Sequence, residues 1–136
     1  MVEMEAVYEG QLHCRVTHGP SRSVITTDAP TDHQGQGAAF SPTDLVGAAL
    51  GSCMLTVMGI VAKRHGWDLT GTRAHVTKEM TITPPRQIAQ LATTITFARP
   101  FESSVREVLE RTALTCPVHH SLCPNIDAPV QFVYPE

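Results

Sequence analysis

The chain is poor in aromatic rings and in charge. Aromatic residues fill 5% of its 136 positions and charged residues 17%. A surface that stacks nucleobases needs several exposed rings, so that class of function is not expected. Lysine and arginine number 10 against 13 acids, for a net charge of −3. No dense basic cluster stands out, and without clustered cations to neutralise phosphates no nucleic-acid partner is expected. Met1-Val2-Glu3-Met4-Glu5 carries acids and no apolar run, so no secretory leader is expected there. Four cysteines do not make a disulfide scaffold at this length. These absences together point to the cytoplasm, where thiols stay reduced.

Long hydrophobic runs are also scarce; one stands out, Leu45 to Ala62. At about 18 uncharged residues it reaches the lower bound for a membrane span. Gly47, Ala48, Ala49, Gly51, Ser52, Thr56 and Gly59 keep its hydrophobicity modest, and no second such run follows. It reads better as a central helix buried on most faces, with no membrane partner. Its length and a hydrophobic content of 42% suit a single domain over residues 1–136 with one core.

The order of elements is strands, helix, strands, helix, strand, which means α+β rather than a repeating βαβ fold. Val7 to Val16 reads as a first strand, Gly19-Pro20 as a turn and Ser23 to Thr27 as its hairpin partner. Thr31 to Phe40 is a polar loop. Ser41 fits a helix N-cap, Pro42 the first helical position and Asp44 a capping-box-like partner. That helix should run to Lys63-Arg64-His65 and stop at Gly66. Glycines 47, 51 and 59 mark either a backbone packed close by or simple tolerance of glycine in a buried helix. Thr70 to Thr83 and Ile88 to Ala98 alternate and flank Pro84-Pro85, as an antiparallel pair does. Ser104 to Thr115 reads as a second helix, with Ser104 and Glu107 in capping-box spacing. Cys116-Pro117 opens a short helical turn, and Ala128 to Tyr134 closes the fold as a strand.

Two cysteines attract the chemistry. Cys53 lies mid-helix, where a free cysteine is commonly a small buried hydrophobe. As a nucleophile it needs a cation from another segment, because a mid-helix position gains nothing from the helix terminus. Cys116 occupies an N-cap if Pro117 begins a turn, and free N–H groups there lower a thiol pKa. Cys116, His119, His120 and Cys123 form C-x2-H-H-x2-C, which also admits a metal-binding reading. A Cys–His hydrolase is conceivable, but Gly51-Ser52-Cys53-Met54 lies inside a helix and not on an elbow. Cys14, in the first strand, reads as a packing residue.

Ser41-Pro42-Thr43-Asp44-Leu45 through Ala48-Ala49-Leu50-Gly51-Ser52-Cys53 resembles the cysteine-helix signature of the OsmC/Ohr family, and Cys116-Pro117-Val118 resembles its second cysteine motif. The resemblance covers nearly the whole chain. It implies an intertwined homodimer of antiparallel sheets with a long central cysteine-bearing helix and active sites at the subunit interface. It also implies a thiol-dependent peroxidase acting on organic hydroperoxides without a cofactor and reset by an external dithiol. Cys53 matches the peroxidatic cysteine and Cys116 the resolving one. The family pairs the peroxidatic thiolate with an arginine from the N-terminal region, held by a glutamate near the start of the cysteine helix. Thr43 stands at the glutamate's place, with Asp44 beside it and rotated by roughly 100° on the helix. Arg15 and Arg22 are the arginine candidates, Arg22 having the freer reach. That departure keeps open a second reading: a non-catalytic protein on the same fold that binds a small ligand or senses redox state.

Overall fold

A computed structural model describes all residues, Met1–Glu136. Its internal contacts divide the chain into two compact units, Met1–Val46 and Gly47–Glu136.

The first unit is an antiparallel meander of β1 (Met4–Gly10), β2 (His13–His18) and β3 (Val24–Asp28). The strand expected over Val7 to Val16 is in fact a hairpin, with Tyr8 opposite Cys14 and Met4 opposite His18. The chain reverses at Gln11 and Leu12, whose φ angles are 53° and 61°. A tight hairpin needs left-handed residues at both centres, and Asn-Gly is the usual signal. Gln-Leu carries no such signal, so the break is invisible in the residue types. The next turn falls where expected. Gly19 is required there, because a Cβ would stand 2.8 Å from the Glu3 carbonyl oxygen, which accepts the Gly19 N–H at 2.9 Å.

Helix α1 (Pro42–His65) starts and stops at the expected residues. The Asp44 N–H donates to Ser41 Oγ at 3.1 Å, and the Ser41 N–H donates back to Asp44 Oδ2 at 2.9 Å. This reciprocal pair satisfies two N-terminal donors. At the other end Gly66 has φ 74°, and the Trp67 N–H closes on the Ala62 carbonyl at 2.9 Å. By length and composition α1 could cross a bilayer. Its stripe Leu50, Met54 and Met58 is nevertheless completely buried, at the four-residue spacing of one helix face.

The second unit holds the remainder of α1 and a three-stranded sheet. β4 (Arg73–Met80) and β5 (Ile88–Thr96) pair antiparallel, with Val76 opposite Thr93. β6 (Val130–Val133) lies parallel to β5, with Ile95 opposite Phe132. The all-antiparallel expectation is therefore corrected at this edge. A parallel neighbour needs a crossover, which α2 (Ser103–Leu114) and α3 (Pro117–Ser121) supply. Helix α2 also begins earlier than expected. Its first turn closes on the Glu102 carbonyl, so Glu102 is the N-cap and Ser104 lies inside the helix without the capping box. Leu91, Ile95, Phe97, Leu109 and Ala113 complete the core.

The structure also decides between the two readings of the α1 glycines. A Cβ at Gly51 would meet Val76 Cγ2 at 2.9 Å, and one at Gly47 would meet Leu91 Cδ2 at 3.4 Å, whereas Gly59 has open space. At Gly51 the neighbours are the Val76 and Ala74 side chains of β4 rather than the expected backbone, and at Gly59 tolerance holds. Gly51→Val is expected to destabilise by about 1–3 kcal/mol through overpacking. Gly59→Ala should instead stabilise by roughly 0.5–1 kcal/mol, because it removes a mid-helix glycine. Urea denaturation midpoints of the two variants check both signs.

Candidate active site: a pair of thiols

Helix α1 presents Cys53 half-buried, and the α2–α3 corner presents Cys116 with no exposed surface. The fold brings these two side chains, 63 positions apart in the sequence (116 − 53), near enough for the Cys53 side chain to act on the Cys116 thiol. Cys116 is the N-cap of α3, with Pro117 in the first turn, and its Sγ accepts the His119 N–H at 3.2 Å. The expected cap geometry is present.

The expected consequence for acidity is not. Burial pushes the Cys116 thiol above its ordinary value of 9.0, because a thiolate there would lose its hydration. The His119 N–H opposes this, and the neighbouring Cys53 side chain then adds to the rise. Helix-end donors are outweighed by desolvation, so Cys116 is harder to ionise than an ordinary thiol. That direction corrects the local argument for an acidic Cys116.

The pH dependence follows from this direction. Between the unfolded and the folded pKa, the folded state keeps a proton that the unfolded state has lost. Stability is therefore full below about pH 9 and falls as pH rises through the folded value, with a limiting slope of about 1.4 kcal/mol per pH unit. Cys116→Ser is expected to flatten the stability profile between pH 8 and 10, read from urea midpoints under reducing conditions. Tyr134, also raised by burial first and by Glu110 second, extends the same decline at higher pH.

The other expected site residues are placed as follows. Arg22 belongs to the first unit, exposed in the β2–β3 turn with φ 62°. Asp44 serves the reciprocal cap of α1, and Thr43 Oγ1 lies 3.2 Å from Ser41 Oγ at the same helix start. Cys14 is half-buried in β2, and Cys123 is exposed. No group of three or more His, Cys, Asp or Glu side chains converges as a metal site, so the C-x2-H-H-x2-C segment does not form a ligand set.

Two polar pairs escaped the sequence reading. His13 Nδ1 lies 2.6 Å from Asp28 Oδ1, and Asp28 Oδ2 accepts the Ala38 N–H at 2.8 Å. The bond to His13 holds the Asp28 carboxyl below its ordinary range. His18 Nδ1 lies 2.6 Å from Ser21 Oγ. The register that puts His13 opposite Asp28 was hidden with the first hairpin. The three-residue spacing of His18 and Ser21 across a glycine-proline turn was the one available signal.

The sequence pattern of the family described as OsmC-like protein matches residues 35–130, the stretch that carries both thiols. The chain belongs to the OsmC-like family. No curated protein matches it. Among solved OsmC-like structures, a protein of Psychrobacter arcticus 273-4, provisionally named as an osmotic stress induced and detoxification response protein, is 42% identical, with a TM-score of 0.92 over 97% of this chain and 96% of that one. An organic hydroperoxide resistance protein OsmC of Legionella pneumophila is 18% identical, with a TM-score of 0.77 over 98% and 96%. A Vibrio cholerae protein, provisionally named for organic hydroperoxide resistance and holding captopril in one of its active sites, is 16% identical, with a TM-score of 0.76 over 97% and 90%.

Proposed function

We propose that this OsmC-like protein is a cysteine-based peroxidase that reduces organic hydroperoxides. The observation that carries the reading is that Cys53, half-buried, lies near enough to act on Cys116, which is fully buried and whose thiol is pushed up by that burial. The Cys53 thiolate attacks the O–O bond of ROOH. Its sulfur takes one oxygen, the alcohol ROH leaves with a proton, and Cys53 becomes a sulfenic acid. Cys116 then condenses with it, forming the S–S bond and releasing water. An external dithiol resets the pair by thiol–disulfide exchange and leaves as its own disulfide. A resolving thiol that is hard to ionise competes little for peroxide.

In this reading Arg22 is the cation assigned to the thiolate and Asp44 the carboxylate that helps to hold it. The protein works as a cytoplasmic homodimer, its two units forming one functional domain, away from membranes and nucleic acids. The dimer is supported by the exposed Ile60 on apolar α1 and by the exposed Met4, Val7, Tyr8 and Ile25 of the first sheet, which one chain leaves uncovered. The names of the relatives support the substrate class.

The reduced protein mixed with cumene hydroperoxide should lose two thiols per chain and release one equivalent of cumyl alcohol. Intact thiols beside intact peroxide would sink the enzyme reading. That result would favour the second one, a small-ligand-binding or redox-sensing protein, which Thr43 at the glutamate's place already favours.

A further inference from the structure

The two sulfurs of the pair differ in what can reach them. Cys116 has no exposed surface, whereas Cys53 is half-buried on α1. Cys116 is also held from both sides along the backbone. Its N–H donates to the Ala113 carbonyl at 3.3 Å, and its carbonyl accepts the His120 N–H at 3.1 Å. Its Sγ accepts the His119 N–H at 3.2 Å. Both sulfurs and all of these partners belong to the second unit, Gly47–Glu136.

These differences bear on how a bridge between the two is opened. Thiol–disulfide exchange begins when a thiolate reaches one sulfur of the bridge, and the other sulfur leaves. Attack on Cys116 would have to reach an atom that solvent does not touch. Attack on Cys53 meets no such barrier. Leaving-group chemistry pulls the other way, because a thiol that is hard to ionise leaves slowly and burial makes Cys116 that thiol. The two effects are unequal. The rate falls gradually with leaving-group acidity, whereas a sulfur that cannot be reached is not attacked at all, so access decides. The His119 N–H also lessens the penalty, since it already points at the sulfur on which negative charge develops.

We propose that reduction of the bridge has one direction: the external thiol attacks Cys53, and Cys116 is the sulfur that leaves, towards the His119 N–H. The inference rests on the Cys53–Cys116 bridge of the function proposed above. In the first step the attacking thiolate forms a new S–S bond to Cys53. The electron pair of the old S–S bond goes to Cys116 Sγ, which takes up a proton from solvent. In the second step the other thiolate of the dithiol attacks its own sulfur in the mixed disulfide. The Cys53 thiolate is expelled and the dithiol closes as a cyclic disulfide, so two electrons pass from the dithiol to the protein. A monothiol has no second sulfur to close with. Its adduct on Cys53 should therefore persist, because Cys116 is slow to attack it back.

The bridge is made with diamide, without any peroxide, and the full chain is treated briefly with 2-mercaptoethanol, quenched in acid and mapped by peptide mass spectrometry. The mercaptoethanol adduct should sit on Cys53 in roughly tenfold excess or more over Cys116. An adduct on Cys116, or one shared equally, overturns the proposal. A second measurement concerns the donor. His119→Pro lacks the N–H and His119→Ala keeps it, so dithiothreitol should reduce the bridge about tenfold more slowly in the proline variant than in the alanine variant. Equal rates, with both variants folded by circular dichroism, overturn the role of the donor. The direction is decided by the wild-type map, which needs no variant. A wild type that forms the bridge with diamide and is inert to cumene hydroperoxide refutes the peroxidase reading and leaves the map to decide the direction. Failure of diamide to link Cys53 to Cys116 overturns both.

Discussion

Cys53→Ser should leave every remaining thiol intact after exposure to cumene hydroperoxide. The argument begins with the nucleophile. A serine hydroxyl in the same helix position has no ionised form near neutrality, and Cys116 does not take over because burial makes it harder to ionise. The scale for losing a nucleophile is on the order of 10⁴–10⁶-fold in rate, which here means a fall to the uncatalysed background. Cys116→Ser should behave differently. The first oxidation still proceeds and one equivalent of alcohol appears, but no partner thiol condenses with the sulfenic acid. Mass spectrometry should then find Cys53 as a dimedone adduct, or further oxidised to the sulfinic acid, in place of an intramolecular disulfide. If both variants lose thiols as fast as wild type, the pair is not the reacting centre.

Phe97→Ala carries the largest expected cost in stability. Phe97 is 2% exposed and leaves β5 into an aromatic cluster. Its ring lies 4.3 Å from that of Tyr134 and nearly parallel to it, meets Phe101 edge-on at 5.9 Å and lies 6.4 Å from Phe132. The cluster is tied to α2 as well, since the Tyr134 hydroxyl donates to Glu110 at 2.9 Å and the Arg106 guanidinium stands 4.1 Å over the Tyr134 ring. Truncation therefore removes a large buried side chain and three ring contacts, and the tethers leave its neighbours little freedom to collapse. The expected loss is about 3–5 kcal/mol, a large fraction of the roughly 5–15 kcal/mol that holds a domain folded. Phe40, 56% exposed, is the control; Phe40→Ala should stay within about 0.5 kcal/mol. Denaturant curves for the two variants decide the matter, and equal midpoints would refute the cluster as the anchor of α2 and β6.

Elements with strong local signals were legible. Ser41, Pro42 and Gly66 gave the limits of α1 to the residue, because caps act through neighbouring backbone groups. The alternation in β4 and along Leu91, Thr93 and Ile95 gave the buried face. What was missed depended on partners distant in sequence. Gln11-Leu12 takes left-handed angles because the two strands pair, not because the residues prefer them. The parallel placing of β6 is a matter of chain path, which alternation does not encode. Capping-box spacing at Ser104 misled, since the chain enters α2 at Glu102.

For the candidate site the division is sharper. Sequence alone determined that a thiol lies in the middle of an apolar helix and a second one at the start of a short turn, since helix periodicity and capping are local. Only the tertiary structure decided that the two come near one another and that burial pushes the Cys116 thiol up. Contact between distant segments and the loss of water around a sulfur are properties of the folded surroundings, and no residue carries them by itself.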